Sequence, residues 1–245
     1  MAAPVAVVVP AFNESARLGA TVEAARRIPG VDLVLVVDDG STDATAEMAR
    51  SAGALVVRHA RNSGKAAALE SGGMALAALD EREGVRRVLL LLDADLGATA
   101  TAAAPLLEPV LAGQADLAIG LLPRQVLPDG SPAGGHGTVV TLAREGIARA
   151  TGWTPSQPLS GQRALTRAAF EAARPLAAGF GVETAMTLDL LRAGMRVVEV
   201  PVDLTHRATG GDWRSQLHRA EQARDVARAL IARRALPLRG LLPAR

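Results

Sequence analysis

Short β-branched runs alternating with alanine-rich stretches constrain this chain more than any other feature. Val5–Val9, Leu33–Val37, Ala54–Arg58, Val88–Leu92 and Leu117–Gly120 are brief and almost wholly apolar, as strands buried on both faces are. Between them Arg17–Arg27, Asp43–Ala52, Lys65–Asp80 and Thr101–Leu111 are long and rich in good helix formers. Strand, helix, strand, helix predicts an α/β protein with a mostly parallel central sheet, right-handed crossovers and helices on both faces.

After residue 120 the rhythm breaks. Pro123–Gly137 is dense in proline and glycine, which predicts a loop over a site. Helices are expected at Val139–Ala150, Thr166–Ala173 and Val182–Ala193, with a strand at Val197–Val202. A glycine-containing loop, His206–Asp212, leads to an arginine-rich helix at Trp213–Ala235 with apolar Leu217, Ala220, Ala227 and Leu230. With no repeat and no linker, the 245 residues read as one domain. Its two halves are 1–120 and 121–245.

Composition closes off several classes of function. Cysteine is absent, which removes disulfides, thiolate metal sites and a cysteine nucleophile. The sequence pI of about 10.2 suggests a basic surface, but the formal net charge is only +2. Tyrosine and cysteine are missing and Lys65 is the one lysine, so the high pI reflects missing buffering groups. With 3 Phe and 2 Trp there is little to stack on bases, and no nucleic-acid partner is expected. No apolar run approaches the roughly 20 residues of a membrane helix. The first residues lack the basic start and long apolar stretch of a signal peptide, so a cytoplasmic protein is expected.

Ligands of an open parallel sheet bind beyond the carboxyl ends of its strands, where this chain concentrates its unusual residues. The first strand ends in Pro10-Ala11-Phe12-Asn13-Glu14 and the second in Asp38-Asp39-Gly40-Ser41-Thr42-Asp43. The third leads to Arg61-Asn62-Ser63-Gly64-Lys65 and the fourth to Asp93-Ala94-Asp95. If the fourth strand carries through the two acids, alternation points Asp93 and Asp95 the same way, towards one hard cation. Capping of the next helix is the plainer role for them. Asp38 and Asp39 can accept from a nucleobase N–H or serve local caps, although Ser41 and Thr42 already offer caps to the helix at Asp43. Gly64-Lys65 lacks the rest of a P-loop, since His59 and Ala66 stand at its key positions. Lys65 is then a phosphate or base contact, or a solvated surface lysine.

Together, Val-Val-Val-Pro-Ala-Phe-Asn-Glu (7–14), Val-Val-Asp-Asp-Gly-Ser-Thr-Asp (36–43), Arg-Asn-Ser-Gly-Lys (61–65) and Leu-Asp-Ala-Asp-Leu (92–96) resemble the family 2 glycosyltransferases of GT-A fold, in order and spacing. The resemblance implies a nucleotide-diphosphate sugar donor (UDP- or GDP-linked) and Mg²⁺ or Mn²⁺. It places Pro10, Ala11, Asn13, Glu14, Asp38, Lys65, Asp93 and Ala94 around the donor, and Asp95, with Asp93, at the metal. The later blocks Ala-Asp-Leu-Ala-Ile-Gly (115–120), Ser-Gly-Gln-Arg-Ala (160–164), Gly-Phe-Gly-Val-Glu-Thr (179–184) and Val-Val-Glu-Val-Pro-Val (197–202) are similar to the polyprenyl-phosphate and phosphoglycerate sugar transferases. That branch implies a lipid-phosphate or small-molecule acceptor, and His206 as a further metal ligand. The branch's usual Phe before the arginine is Gln162 here, and the Gln-x-x-Arg-Trp of processive enzymes is absent, so polymerisation is not expected.

Arg124 and Arg163 can grip phosphate bidentately or be ordinary surface arginines. Glu183 opens a helix, where a carboxylate is favoured by the dipole alone; it is also the first candidate base for a hydroxyl acceptor. The catalytic set is therefore Asp95, Glu183 and Arg163. Arg214, Arg219, Arg224, Arg228, Arg233 and Arg234 can lie on an anionic membrane, or their helix can pack on its own domain. Two other functions remain open: a nucleotide-binding regulator without turnover, and a sugar-phosphate nucleotidyltransferase. The second would need a glycine-rich loop where Pro10–Glu14 stands.

Overall fold

The computed structural model describes residues 3–123, 137–205 and 213–236, with backbone alone at 125–126, 132–133 and 213–219. Arg124, His206, most of the expected 123–137 loop and the 206–212 loop fall outside the described residues. In chain order the elements are β1 (Val5–Ala11), α1 (Ser15–Ala25), β2 (Val31–Asp38), α2 (Thr45–Ser51), β3 (Leu55–Arg58), α3 (Lys65–Glu83) and β4 (Val88–Leu91). A 3₁₀ segment (Gly97–Leu106) runs into α4 (Leu107–Leu111), followed by β5 (Leu117–Leu121) and a two-residue antiparallel pair, β6 (Gln125–Val126) and β7 (Pro132–Ala133). Then come α5 (Thr138–Thr151), β8 (Arg163–Leu165), α6 (Arg167–Ala172), α7 (Val182–Arg192), β9 (Val197–Pro201) and α8 (Trp213–Ala232).

All the expected strands form, and they lie in one seven-stranded sheet of order β3-β2-β1-β4-β8-β5-β9. Alternation along β1 divides the interior. Val5, Val7 and Val9 join the core beneath α1 and the 3₁₀ segment, while Ala6 and Val8 join the core beneath α3, α6 and α7. A third cluster, Val139, Ala143, Leu188, Val226 and Leu230, binds α5, α7 and α8. The last helix therefore packs on its own domain, with Arg233 Nη2 2.6 Å from Asp189 Oδ2 and Arg224 and Arg228 in solvent. No described helix is long and apolar enough to cross a membrane.

Two expectations need correction. The helix expected at Thr101–Leu111 is a 3₁₀ segment from Gly97 that becomes α-helical only at Leu107. Pro105 and Pro109 lack the N–H that a continuous α-helix requires. The stretch before the helix at Thr166 also hides a strand. β8 inserts antiparallel between β4 and β5, pairing Leu91 and Ile119 with Arg163 and Leu89 and Leu117 with Leu165. Three residues centred on a sheet, one of them arginine, give no recognisable apolar run.

Helix α3 lies unusually close to its neighbours because Gly72 and Gly73 carry no side chain. A Cβ on Gly72 would stand 2.6 Å from Val8 Cγ1, and one on Gly73 2.1 Å from the Phe170 ring. In an open helix Gly→Ala gains about 1 kcal/mol, whereas overpacking a core costs about 1–3 kcal/mol. Gly73→Ala is expected to lower the urea midpoint, with a net loss of up to about 2 kcal/mol; a higher midpoint would contradict this packing.

Candidate functional site

The ends of β1, β2 and β4 converge on one edge, and side chains knit their loops together. Asn13, in left-handed conformation (φ 54°), donates its N–H to Ser41 Oγ at 2.9 Å and accepts from the Thr42 N–H at 2.9 Å. The Glu14 N–H donates to Thr45 Oγ1 at 2.9 Å, and the Asp39 N–H to the carbonyl of Ala11 at 2.8 Å. Ser41 and Thr42, expected as helix caps, are thus spent on the first loop. Asp43 instead accepts from Thr45 and Ser15. The Thr45 hydroxyl, more than the other contacts, holds the Asp43 carboxyl down to about 2.

The adjacent acids of β2 do different work. Asp38 is fully buried; Oδ1 accepts from the Ser41 N–H at 2.9 Å. Oδ2 lies 3.1 Å from Arg58 Nε, an ion pair without hydrogen-bond alignment, and has no hydrogen bond. Asp39 takes three donors: His59 Nδ1 at 2.6 Å, Ser63 N–H at 2.9 Å and Gly64 N–H at 2.7 Å. His59 Nε2 meets Ser71 Oγ at 2.8 Å. Ser71 lies within α3, whose backbone N–H groups are committed to the helix, so the Asp39–His59–Ser71 chain tethers the loop before α3. That loop turns at Gly64 (φ 91°), which sets Lys65 at the first position of the helix.

Lys65 is no surface lysine. Its ammonium lies 2.8 Å from Asp93 Oδ1 and 2.8 Å from Glu183 Oε1, joining the end of β4 to the first turn of α7. Burial works against the charge, but Asp93 and then Glu183 outweigh it, and the Lys65 pKa is pushed above the ordinary lysine range. The other Asp93 oxygen accepts from Gln162 Nε2 at 2.5 Å. Gln162 Oε1 in turn accepts from the Asp93 N–H at 3.1 Å.

This arrangement changes the expected metal pair. β4 ends at Leu91, so Asp93 and Asp95 sit on the turn beyond it and the alternation of a strand does not align them. Asp93 is committed to Lys65 and Gln162. Asp95, half-buried, lies on a segment pinned by Thr21 Oγ1 donating to the Ala94 carbonyl at 2.8 Å and Arg17 Nη1 to the Asp95 carbonyl at 3.3 Å. Among the described residues no group of three or more His, Cys, Asp or Glu side chains is placed to hold a metal. The acids present suit a Mg²⁺-like ion that takes one or two carboxylates and fills its shell with phosphate and water.

Arg163 does not face an open phosphate site. It is 1% exposed and donates to the carbonyls of Ser160 (2.9 Å) and Pro158 (3.3 Å) and to Thr187 Oγ1 (3.0 Å). Burial pulls its pKa down to about 10 against the opposing fields of Glu183 and Asp93. Its guanidinium therefore shapes the 158–160 turn from inside. Glu183 is 8% exposed. The turn before it is braced by α8: the Phe180 N–H donates to Asp225 Oδ2 at 3.3 Å, and a Cβ on Gly181 would stand 2.7 Å from the Ala229 Cβ.

Residues 6–171 match the glycosyl transferase family 2 pattern. The chain belongs to that family. It is 34% identical over 215 residues to glycosyltransferase AglJ of Haloferax volcanii, covering 85% of this chain and 65% of that protein. It is also 37% identical over 114 residues to the uncharacterised protein MJ1222 of Methanocaldococcus jannaschii, covering 46% of this chain and 44% of that one. The chain thus spans less than two thirds of either relative. Among solved structures it resembles glucosyl-3-phosphoglycerate synthase of Mycobacterium tuberculosis. The complex with phosphoglyceric acid has a TM-score of 0.73 at 28% identity, over 96% of this chain and 81% of that one. The complex with Mn²⁺, UDP and phosphoglyceric acid has a TM-score of 0.72 at 26% identity, over 96% and 80%. The sheet of this chain, parallel but for one reversed internal strand, is the GT-A fold.

The signals that reading the sequence missed are Gly161 and Gln162, which become site residues only once β8 is recognised. A Cβ on Gly161 would stand 2.6 Å from Lys65 Nζ and 2.9 Å from both Asp93 oxygens. Those are the mobile ends of side chains, so Gly161→Ala is expected to leave the denaturation midpoint close to wild type while shifting the single lysine ¹³Cε resonance. An unmoved resonance would show that Gly161 does not face the ion pair.

Proposed function

We propose that the protein transfers a sugar from a UDP- or GDP-linked donor to a phosphate-bearing acceptor, with a divalent metal ion. The observation that carries this reading is the cluster at the sheet's carboxyl edge, where Lys65 joins Asp93 to Glu183 beside Asp95 and the buried Asp38. Family membership supports sugar transfer, and the structural relatives crystallised with Mn²⁺ or Mg²⁺ and UDP support the donor and the metal.

In this reading Pro10, Ala11, Asn13 and Glu14 wall one side of the nucleoside pocket. Asp38 offers its unbonded Oδ2 to a base N–H, since a buried acceptor left unpaired costs about 1–3 kcal/mol. Asp95 holds the metal, with His206 as a further ligand, and Ala94 lets the donor approach the turn. When bound, Mg²⁺ or Mn²⁺ neutralises charge building on the departing diphosphate. Lys65 adds a fixed positive charge in a site already organised before the donor arrives, and Arg124 supplies a second contact to phosphate.

Glu183 and Asp93 are both engaged by Lys65, which suits a site that positions rather than abstracts protons. An acceptor that is itself an ionised phosphate needs no base. That fits a lipid phosphate or a small phosphorylated molecule, such as the phosphoglyceric acid bound by the structural relative. For a hydroxyl acceptor Glu183 remains the group within reach.

Titration calorimetry with UDP, GDP and ADP, with and without Mn²⁺, tests the donor half. One uridine or guanosine nucleotide should bind in a metal-dependent manner, and Asp95→Ala should weaken it at least tenfold with the fold intact by circular dichroism. No binding by folded wild-type protein would remove the transferase reading. Binding without turnover of any sugar nucleotide would favour a nucleotide-sensing protein.

A further inference from the structure

Thr21 is an odd choice for the buried face of α1. It is fully buried on the side of the helix that carries Leu18, Val22 and Ala25. Threonine is a poor helix former, and a buried hydroxyl is costly unless it is hydrogen-bonded. Valine has the same shape and would serve packing alone, so the hydroxyl has a task outside the helix.

A threonine inside a helix ordinarily donates to the carbonyl four residues back. Here that carbonyl, of Arg17, lies at 3.2 Å, while the Ala94 carbonyl lies at 2.8 Å. A hydroxyl has one proton and two lone pairs, and the nearer Ala94 takes the larger share of the proton. A lone pair accepts from the Gly97 N–H at 2.8 Å. One oxygen thus bonds the chain on both sides of Asp95, at residue 94 and at residue 97.

β4 ends at Leu91, so residues 94–97 lie beyond the ladder of the sheet and need another anchor. Arg17 reaches the Asp95 carbonyl at 3.3 Å from an exposed side chain, and Thr99 Oγ1 donates locally to the Leu96 carbonyl at 2.7 Å. The Thr21–Ala94 bond is the buried one. Because α1 starts at Ser15, directly after Pro10–Glu14, Thr21 also joins the wall of the nucleoside pocket to the turn that carries Asp95. A small divalent ion demands near-ideal ligand geometry, which a loosely held turn does not supply.

We propose that Thr21 is a positioning residue for metal binding, its hydroxyl fixing the 94–97 turn so that the Asp95 carboxylate is held in place before nucleotide and metal arrive. This rests on the reading of the sheet edge as a metal-dependent donor site. Thr21 touches neither ligand and acts only through the backbone on either side of Asp95.

The test separates the hydroxyl from the shape. Thr21→Val keeps the shape and loses the hydroxyl. Thr21→Ala and Thr21→Ser both lose the γ-methyl and differ from each other only in the hydroxyl, so they decide the matter if Thr21→Val does not fold. The readout is the gain in UDP or GDP affinity on adding Mn²⁺, by titration calorimetry; general damage to the fold would lower affinity with and without metal alike. Outer-shell partners of metal ligands typically account for about 10–100-fold in metal affinity. Thr21→Val and Thr21→Ala should therefore lose about tenfold or more of that gain while keeping the metal-free affinity, and Thr21→Ser should stay close to wild type. Without any ligand, the Gly97 amide should exchange about tenfold faster in Thr21→Val, as loss of one hydrogen bond implies.

A full metal-dependent gain in folded Thr21→Val, equal losses in Thr21→Ala and Thr21→Ser, or unchanged Gly97 exchange each overturns the proposal and leaves the donor-site reading standing. No metal-dependent gain in wild type overturns the donor-site reading, and this proposal with it.

Discussion

The site depends on one ammonium ion. Lys65 stands at the start of α3, Asp93 just past β4 and Glu183 at the start of α7, and the two 2.8 Å contacts of Nζ tie these three elements together. Everything around them serves to put the ammonium there. Asp39 spends its carboxylate on His59, Ser63 and Gly64 to set the turn before α3, and Gly72 and Gly73 let the helix lie close to the sheet. Gly161 leaves the space that the Lys65–Asp93 pair fills. A partly buried pair of this kind is a poor source of net stability, because desolvation and solvent screening offset most of the attraction. Its value is in fixing groups before a substrate arrives.

The reversed strand β8 is the second constraint. In a purely parallel sheet β4 and β5 would be neighbours, and the segment from 158 to 163 would not reach the carboxyl edge beside Asp93. Insertion of Arg163–Leu165 brings Gln162 onto Asp93 and buries Arg163 where its field reaches both Asp93 and Glu183. The half of the chain that follows residue 120 thus completes a site begun by the first four strands. The C-terminal helix contributes at one remove, bracing the Gly179–Gly181 turn from which Glu183 emerges.

Much of this was legible in the sequence, for a physical reason. Strands buried on both faces must be continuously apolar, so β1, β2, β4 and β5 announce themselves, and the polar residues that interrupt them mark the carboxyl edge. Pro10–Glu14, Asp38, Lys65 and Asp93–Asp95 therefore stand out as a group in the sequence. What escaped were contacts that depend on register between distant segments. Nothing local in Ser160-Gly161-Gln162-Arg163 betrays a strand, so Gln162 read only as a departure from a family pattern. Arg163 read as a phosphate ligand although its donors turn inward. Lys65 left two readings open because a lysine's partners, 28 residues away at Asp93 and farther at Glu183, are visible only in three dimensions. Because β4 stops at Leu91, strand alternation does not align Asp93 with Asp95, and only the folded turn reveals this.

If the cluster around Lys65 is the donor site of this family 2 glycosyltransferase, nucleotide base, diphosphate and metal must all meet at this edge of the sheet. A crystal structure of the protein grown with UDP or GDP and Mn²⁺ addresses it directly. The base is expected against Asp38, the metal on the Asp95 side chain with diphosphate oxygens completing its shell, and Asp93 still joined to Lys65 and Gln162. Nucleotide bound elsewhere on the molecule, or metal held by Asp93 with Lys65 displaced, would contradict it.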